Sequence, residues 1–110
     1  LKTILYYKNK DYNVIAYGPI PTFKDENQNK VFVDRWYGTE VQRNKVTKIF
    51  NDYYKNMCFE NNIPFFTTFY DLIDSNYNTL SGYHLPDGMH CSTKILPIIM
   101  QQLKLINIIN

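Results

Sequence analysis

The chain has 110 residues, 45% of them apolar, and sets 12 Lys and Arg against 10 Asp and Glu for a net charge of +2. That length holds one domain or part of one, and so even a balance disfavours nucleic acid and anionic membranes, whose binders concentrate Lys and Arg on one face. The longest apolar run, Ile95 to Met100, is far short of a bilayer span of roughly 18 to 20 residues, and Cys58 and Cys91 form neither a disulfide scaffold nor a spaced zinc pair.

No secretory signal is visible at the start of the chain. The first residue is Leu1 rather than Met, so an address written upstream lies outside this sequence, and localisation and oligomeric state stay open. Heavy use of Lys, Asn, Ile, Tyr and Phe with little Ala or Gly reads as nucleotide bias of the source rather than chemistry. There is no internal repeat and no linker.

Leu1–Tyr7 fits either the end of an earlier helix or a strand. Tyr12–Tyr17 is a short β-prone run closed by Gly18-Pro19-Ile20-Pro21, which continues neither a ladder nor a helix. From Thr22 to Gly38 the residues are polar and charged around Val31-Phe32-Val33, which predicts a long surface loop of the kind that often carries function. The clearest element follows. Val46, Ile49, Phe50, Tyr53, Tyr54 and Met57 repeat at helical spacing, and Thr39 with Gln42 matches a capping box, so a helix is predicted from about Glu40 to Glu60 with this aromatic face in the core. Asn61-Asn62 tolerates the left-handed conformation at its end.

Ile63–Phe69 is a second strand, with Pro64 only at its start. Strand, helix, strand requires a crossover and therefore parallel pairing, which makes the fold class α/β. A last helix is expected from near Ser92, or a residue or two later to suit Pro97, with Leu96, Ile99, Met100, Leu103 and Ile106 on one face. So small a parallel sheet leaves an edge bare, and the chain reads as part of a domain.

Both histidines lie in Ser81-Gly82-Tyr83-His84-Leu85-Pro86-Asp87-Gly88-Met89-His90-Cys91-Ser92, where a loop after the second strand meets a helix start. Ligands of open α/β sheets bind in such loops. Asp87 stands three residues before His90, with Gly88 between to permit a tight turn. A carboxylate so placed can hold one imidazole nitrogen, fix the tautomer and stabilise the imidazolium formed when the other nitrogen takes a proton.

Leu85-Pro86-Asp87-Gly88-Met89-His90-Cys91-Ser92 ahead of an apolar helix resembles the Asp-x-x-His block of SGNH/GDSL-type hydrolases. The resemblance extends more loosely to Gly18-Pro19-Ile20-Pro21, to Gly38-Thr39 leading a helix with Arg43 and Phe50-Asn51, and to Ile63–Phe69, and so spans residues 1–110 as a partial domain. It implies a three-layer α/β/α, flavodoxin-like fold with a parallel sheet. It also implies a serine esterase in which His90 is the general base and Asp87 its orienter, with no metal or organic cofactor and an acylated carbohydrate or lipid ester as substrate. The chain contains neither the family's Gly-Asp-Ser nucleophile block nor its Gly-x-Asn-Asp oxyanion block. Truncation is the simplest expectation, and this portion alone is expected to be inactive.

Other readings of the same residues are weaker. Asp87 could serve only as a turn residue and His90 as a buried partner of a helix start. His84, free in the family pattern, reads as a loop or packing residue, so His84→Ala is expected to be tolerated. His84, Asp87, His90 and Cys91 are all metal-ligand types, but four ligands in so short a stretch demand a tight wrap, and Cys91 as a thiol nucleophile would point away from its neighbour His90. A non-catalytic SGNH-like binding or scaffold module is the main alternative.

Overall fold

The structure, a computed structural model, describes residues 1–25, 38–85 and 90–110. Among them the capping signal acts as the sequence predicts. Thr39 Oγ1 accepts the Gln42 N–H at 3.2 Å while Gln42 Oε1 accepts the Thr39 N–H at 2.9 Å, and this reciprocal box opens helix α2, Glu40–Glu60. At the other end Asn62 is left-handed (φ 56°), and Ile63 N–H turns back to the Cys58 carbonyl at 2.9 Å. The N-terminal residues, undecided in sequence, form helix α1, Lys2–Lys8.

Helix α2 is the crossover between strands β1, Ala16–Tyr17, and β2, Phe65–Phe66, which pair in parallel with Ala16 opposite Phe65 and Tyr17 opposite Phe66. Pro64 at the strand entrance contributes a carbonyl, accepting Ala16 N–H at 2.8 Å, and the ladder closes with Gly18 N–H to the Phe66 carbonyl at 2.9 Å. Both strands are shorter than the predicted Tyr12–Tyr17 and Ile63–Phe69. Residues 12–15 have no partner strand among the described residues, and after Thr68 the chain tightens into a 3-10 turn, Phe69–Asp71. The result is a mixed helix and strand unit built on a two-stranded parallel sheet.

Ser92 precedes a 3-10 turn, Thr93–Ile95, and only then does helix α3, Leu96–Leu105, begin, with Pro97 in its first turn. The Ser92 hydroxyl donates to the Gly82 carbonyl at 3.1 Å instead of capping the helix. This later start places Pro97 where its missing N–H costs nothing.

The core joins Ala16, Cys58 and Ile63, with Leu1, Ile4, Leu5, Tyr54 and Phe65 packed against them. The apolar stripe predicted for the core face of α2 is largely elsewhere: Val46, Ile49, Phe50 and Tyr53 are between 52% and 68% exposed. The buried positions of α2 are Glu40, Asn44, Asn51 and Cys58, which lie roughly a third of a turn around the helix from that stripe. The correction has a chemical cause. Asn44 accepts Thr22 N–H at 2.9 Å and donates to the Tyr77 carbonyl at 2.9 Å and Thr79 Oγ1 at 3.0 Å, while Asn51 donates to the Pro19 carbonyl at 3.0 Å. Neighbouring loops bring unpaired backbone groups against α2, and amides rather than apolar side chains can satisfy them.

Candidate active site

The segment that carries both histidines folds back on itself. Ser92 N–H donates to the Tyr83 carbonyl and Leu85 N–H to the His90 carbonyl, each at 2.7 Å, and His84 sits opposite Cys91 in an antiparallel bridge. His90 thus stands at the base of a hairpin with its residue exposed. Asp87 lies outside the described residues.

The hairpin is fastened to the loop that leaves the carboxyl end of β1. His84 Nε2 lies 3.3 Å from the Pro21 carbonyl oxygen, and because a carbonyl can only accept, Nε2 is the donor in this contact. Beneath it, Tyr17 at the end of β1 and Thr68 after β2 share a hydrogen bond of 2.6 Å. Burial pushes the Tyr17 phenol up, the bond to Thr68 opposes that, and the nearby Cys91 and Asp71 add to the rise. Tyr17, Thr68 and Cys91 therefore share one neighbourhood at the carboxyl ends of the strands, where α/β sheets place their ligands.

Cys91 itself is pushed up by burial, so at neutral pH it is held as the thiol rather than the nucleophilic thiolate. His84 has its Nε2 committed to Pro21. Among the described residues no three of His, Cys, Asp and Glu converge as a metal-ligand set.

A buried polar network joins the loop after β1 to α2 and to the residues ahead of this hairpin, with only a faint sign in the sequence. Glu40 Oε2 accepts Thr79 N–H at 2.6 Å, Lys24 Nζ donates to the Thr79 carbonyl at 2.7 Å and lies 3.6 Å from Glu40, and Thr79 Oγ1 donates to the Thr22 carbonyl at 2.7 Å. The loop after β1, the start of α2 and the residues before the hairpin are thereby one unit. The detectable signal was Glu40, Asn44 and Asn51 recurring on a single helical face.

The same network brackets residues 26–37, which lie outside the described residues and include most of the long surface loop predicted from Thr22 to Gly38. On one side Asp25 N–H donates to Glu40 Oε1 at 3.1 Å, and in return Glu40 N–H donates to Asp25 Oδ1 at 2.9 Å. Arg43 spans both ends, donating to Thr22 Oγ1, the Gly38 carbonyl and Asp25 Oδ1 at 2.9, 2.6 and 2.9 Å.

A separate cavity of about 400 Å³, lined by Lys8, Val14, Ile15, Asn62, Pro64 and Ile108 among others, opens at the amino ends of the strands. Position argues against it as the reaction site, since it is at the opposite end of the sheet from His90's hairpin.

Comparison of the chain with protein-family models, with curated proteins and with solved structures gives no match. No helix formed by the described residues is long and apolar enough to cross a membrane.

Proposed function

We propose that this chain is the C-terminal portion of an SGNH/GDSL-type serine ester hydrolase, a domain of three-layer α/β/α architecture, in which His90 is the general base and Asp87 its orienter. The observation that carries the reading is the attachment of the His90 hairpin, through His84 and Pro21, to the loop leaving the carboxyl end of β1. A parallel strand, helix, strand unit with a histidine-bearing loop at that end is the arrangement the resemblance implies.

In this reading the nucleophilic serine comes from a Gly-Asp-Ser block outside these 110 residues. His90 takes the hydroxyl proton as the serine oxygen attacks the ester carbonyl, and returns it to the leaving alcohol as the tetrahedral intermediate collapses to an acyl-enzyme. A water, deprotonated by the same imidazole, then releases the acid. Asp87 holds the other ring nitrogen. Acylated carbohydrate and lipid esters are the substrate classes, and the chain alone, lacking nucleophile and oxyanion donors, is inactive.

Labelling of the full-length protein with a fluorophosphonate probe tests this. Wild type is labelled on serine, and His90→Ala loses labelling by at least about 10³-fold while keeping its circular dichroism spectrum. A folded wild type that takes no label overturns the hydrolase reading. That outcome favours the second reading, a non-catalytic SGNH-like binding or scaffold module.

A further inference from the structure

We infer that His84 is a positioning residue, whose Nε2–H bond to the Pro21 carbonyl seats the hairpin that presents His90. The consequence for catalysis rests on the hydrolase reading; the seating itself does not.

Three observations converge on it. His84 occupies the middle of the short ladder, directly opposite Cys91 and flanked by the Tyr83–Ser92 and Leu85–His90 hydrogen bonds, so any displacement of its backbone is passed to residue 90 through Cys91. Its side chain reaches across to Pro21, 63 positions earlier in the sequence, at 3.3 Å, with only part of the ring exposed. Pro21 is a firm anchor, being fully buried and next to Thr22, which Asn44, Arg43 and Thr79 all bond. The hairpin's own bonds fix its shape; the His84 contact fixes where that shape stands relative to the strand ends. A general base must lie within hydrogen-bond reach of its proton, so a loosely seated hairpin, whose two rungs open more often, would carry His90 out of register with the serine. The expectation from sequence that His84→Ala is tolerated is therefore replaced by one of partial loss.

Glutamine places its amide nitrogen close to where histidine places Nε2 and keeps the donor, whereas alanine removes it. Amide hydrogen exchange on the full-length protein reads the seating through the two rungs beside His84, which open more often once the hairpin is no longer held against Pro21. Exchange at Leu85 and Ser92 rises about tenfold in His84→Ala, the size expected for one lost hydrogen bond, stays unchanged at mid-α2 amides such as Asn51, and returns to the wild-type rate in His84→Gln. Unchanged exchange in His84→Ala, a uniform rise across the molecule, or a His84→Gln variant that behaves like alanine each overturns the assignment. In the full-length protein, fluorophosphonate labelling falls about tenfold in His84→Ala, against near-complete loss in His90→Ala, and recovers in His84→Gln. An unlabelled wild type sinks the hydrolase reading alone, because the exchange rates still decide whether His84 seats the hairpin.

Discussion

Asn51 presses its side-chain oxygen against the backbone of Gly18, at a spot where any Cβ would overlap it and would also come within 2.8 Å of the Phe65 ring. That oxygen is buried and has no hydrogen-bond partner among the described residues, while the amide nitrogen of the same side chain is fully used by the Pro19 and Thr47 carbonyls. The amide cannot turn over to relieve the contact without setting its oxygen against two carbonyls. Gly18 is therefore required by proximity, since the strand must end close under α2 for the following loop to reach the hairpin.

Gly18→Ala is expected to lower stability by about 2 kcal/mol, within the usual range for overpacking a site that cannot yield. Urea unfolding gives the value. Combining it with Asn51→Ala recovers only part of the loss, because Phe65 still obstructs; a fully wild-type midpoint for Gly18→Ala alone would show the contact to be soft.

The two faces of α2 make opposite predictions from those that hydropathy suggests. Asn44→Ala strands the Thr22 N–H and the Tyr77 carbonyl and should cost about 2 to 3 kcal/mol. Ile49→Ser, on the 68% exposed flank, should change stability by no more than about 0.5 kcal/mol in this chain. Denaturant midpoints that ranked the two variants the other way would restore the apolar stripe to the core.

Acid should weaken the fold partly through Asp52. Its carboxyl is held below the usual range first by the hydrogen bond from Lys48, at 2.6 Å, and further by Tyr70. A depressed folded value means that this stabilisation is complete above the ordinary aspartate pKa of about 3.9 and is lost as pH falls through the folded value. The pair is about half exposed, so 1 M salt should shrink its contribution. Unfolding midpoints for wild type and Asp52→Asn should thus converge as pH drops from 5 toward 2, and convergence at high pH instead would reverse the assignment.

Cys91 should be a slow thiol. With its pKa raised by burial, alkylation by iodoacetamide at pH 7 should run below the rate of an unstructured cysteine peptide and approach it only as pH climbs past the ordinary thiol value of about 8.5. A rate above the peptide's at pH 7 would mean an activated thiolate and would revive Cys91 as a nucleophile.

What the sequence made legible was the part governed by local chemistry. Thr39 and Gln42 are three residues apart and satisfy each other's backbone, so both ends of α2 could be read without knowing anything distant. Parallel pairing followed in the same way from one helix between two strands. The burial of α2 was not legible, because it depends on Pro19, Thr22, Tyr77 and Thr79, which arrive from far along the chain bearing groups that only Asn44 and Asn51 can meet. The reach of His84 to Pro21 was not legible for the same reason: its partner is a backbone carbonyl, and carbonyls leave no mark in a sequence pattern. The pairing of Asp87 with His90 rests on spacing and resemblance, since Asp87 falls outside the described residues.

The reciprocal bonds between Asp25 and Glu40, braced by Arg43, have a consequence for how such a protein can change over generations. They pin residue 25 to the start of α2 through contacts made entirely by described residues. Because each of these three side chains bonds the other stretch of chain, a change at one leaves its partners' bonds unmet, so Asp25, Glu40 and Arg43 are expected to change together rather than one at a time.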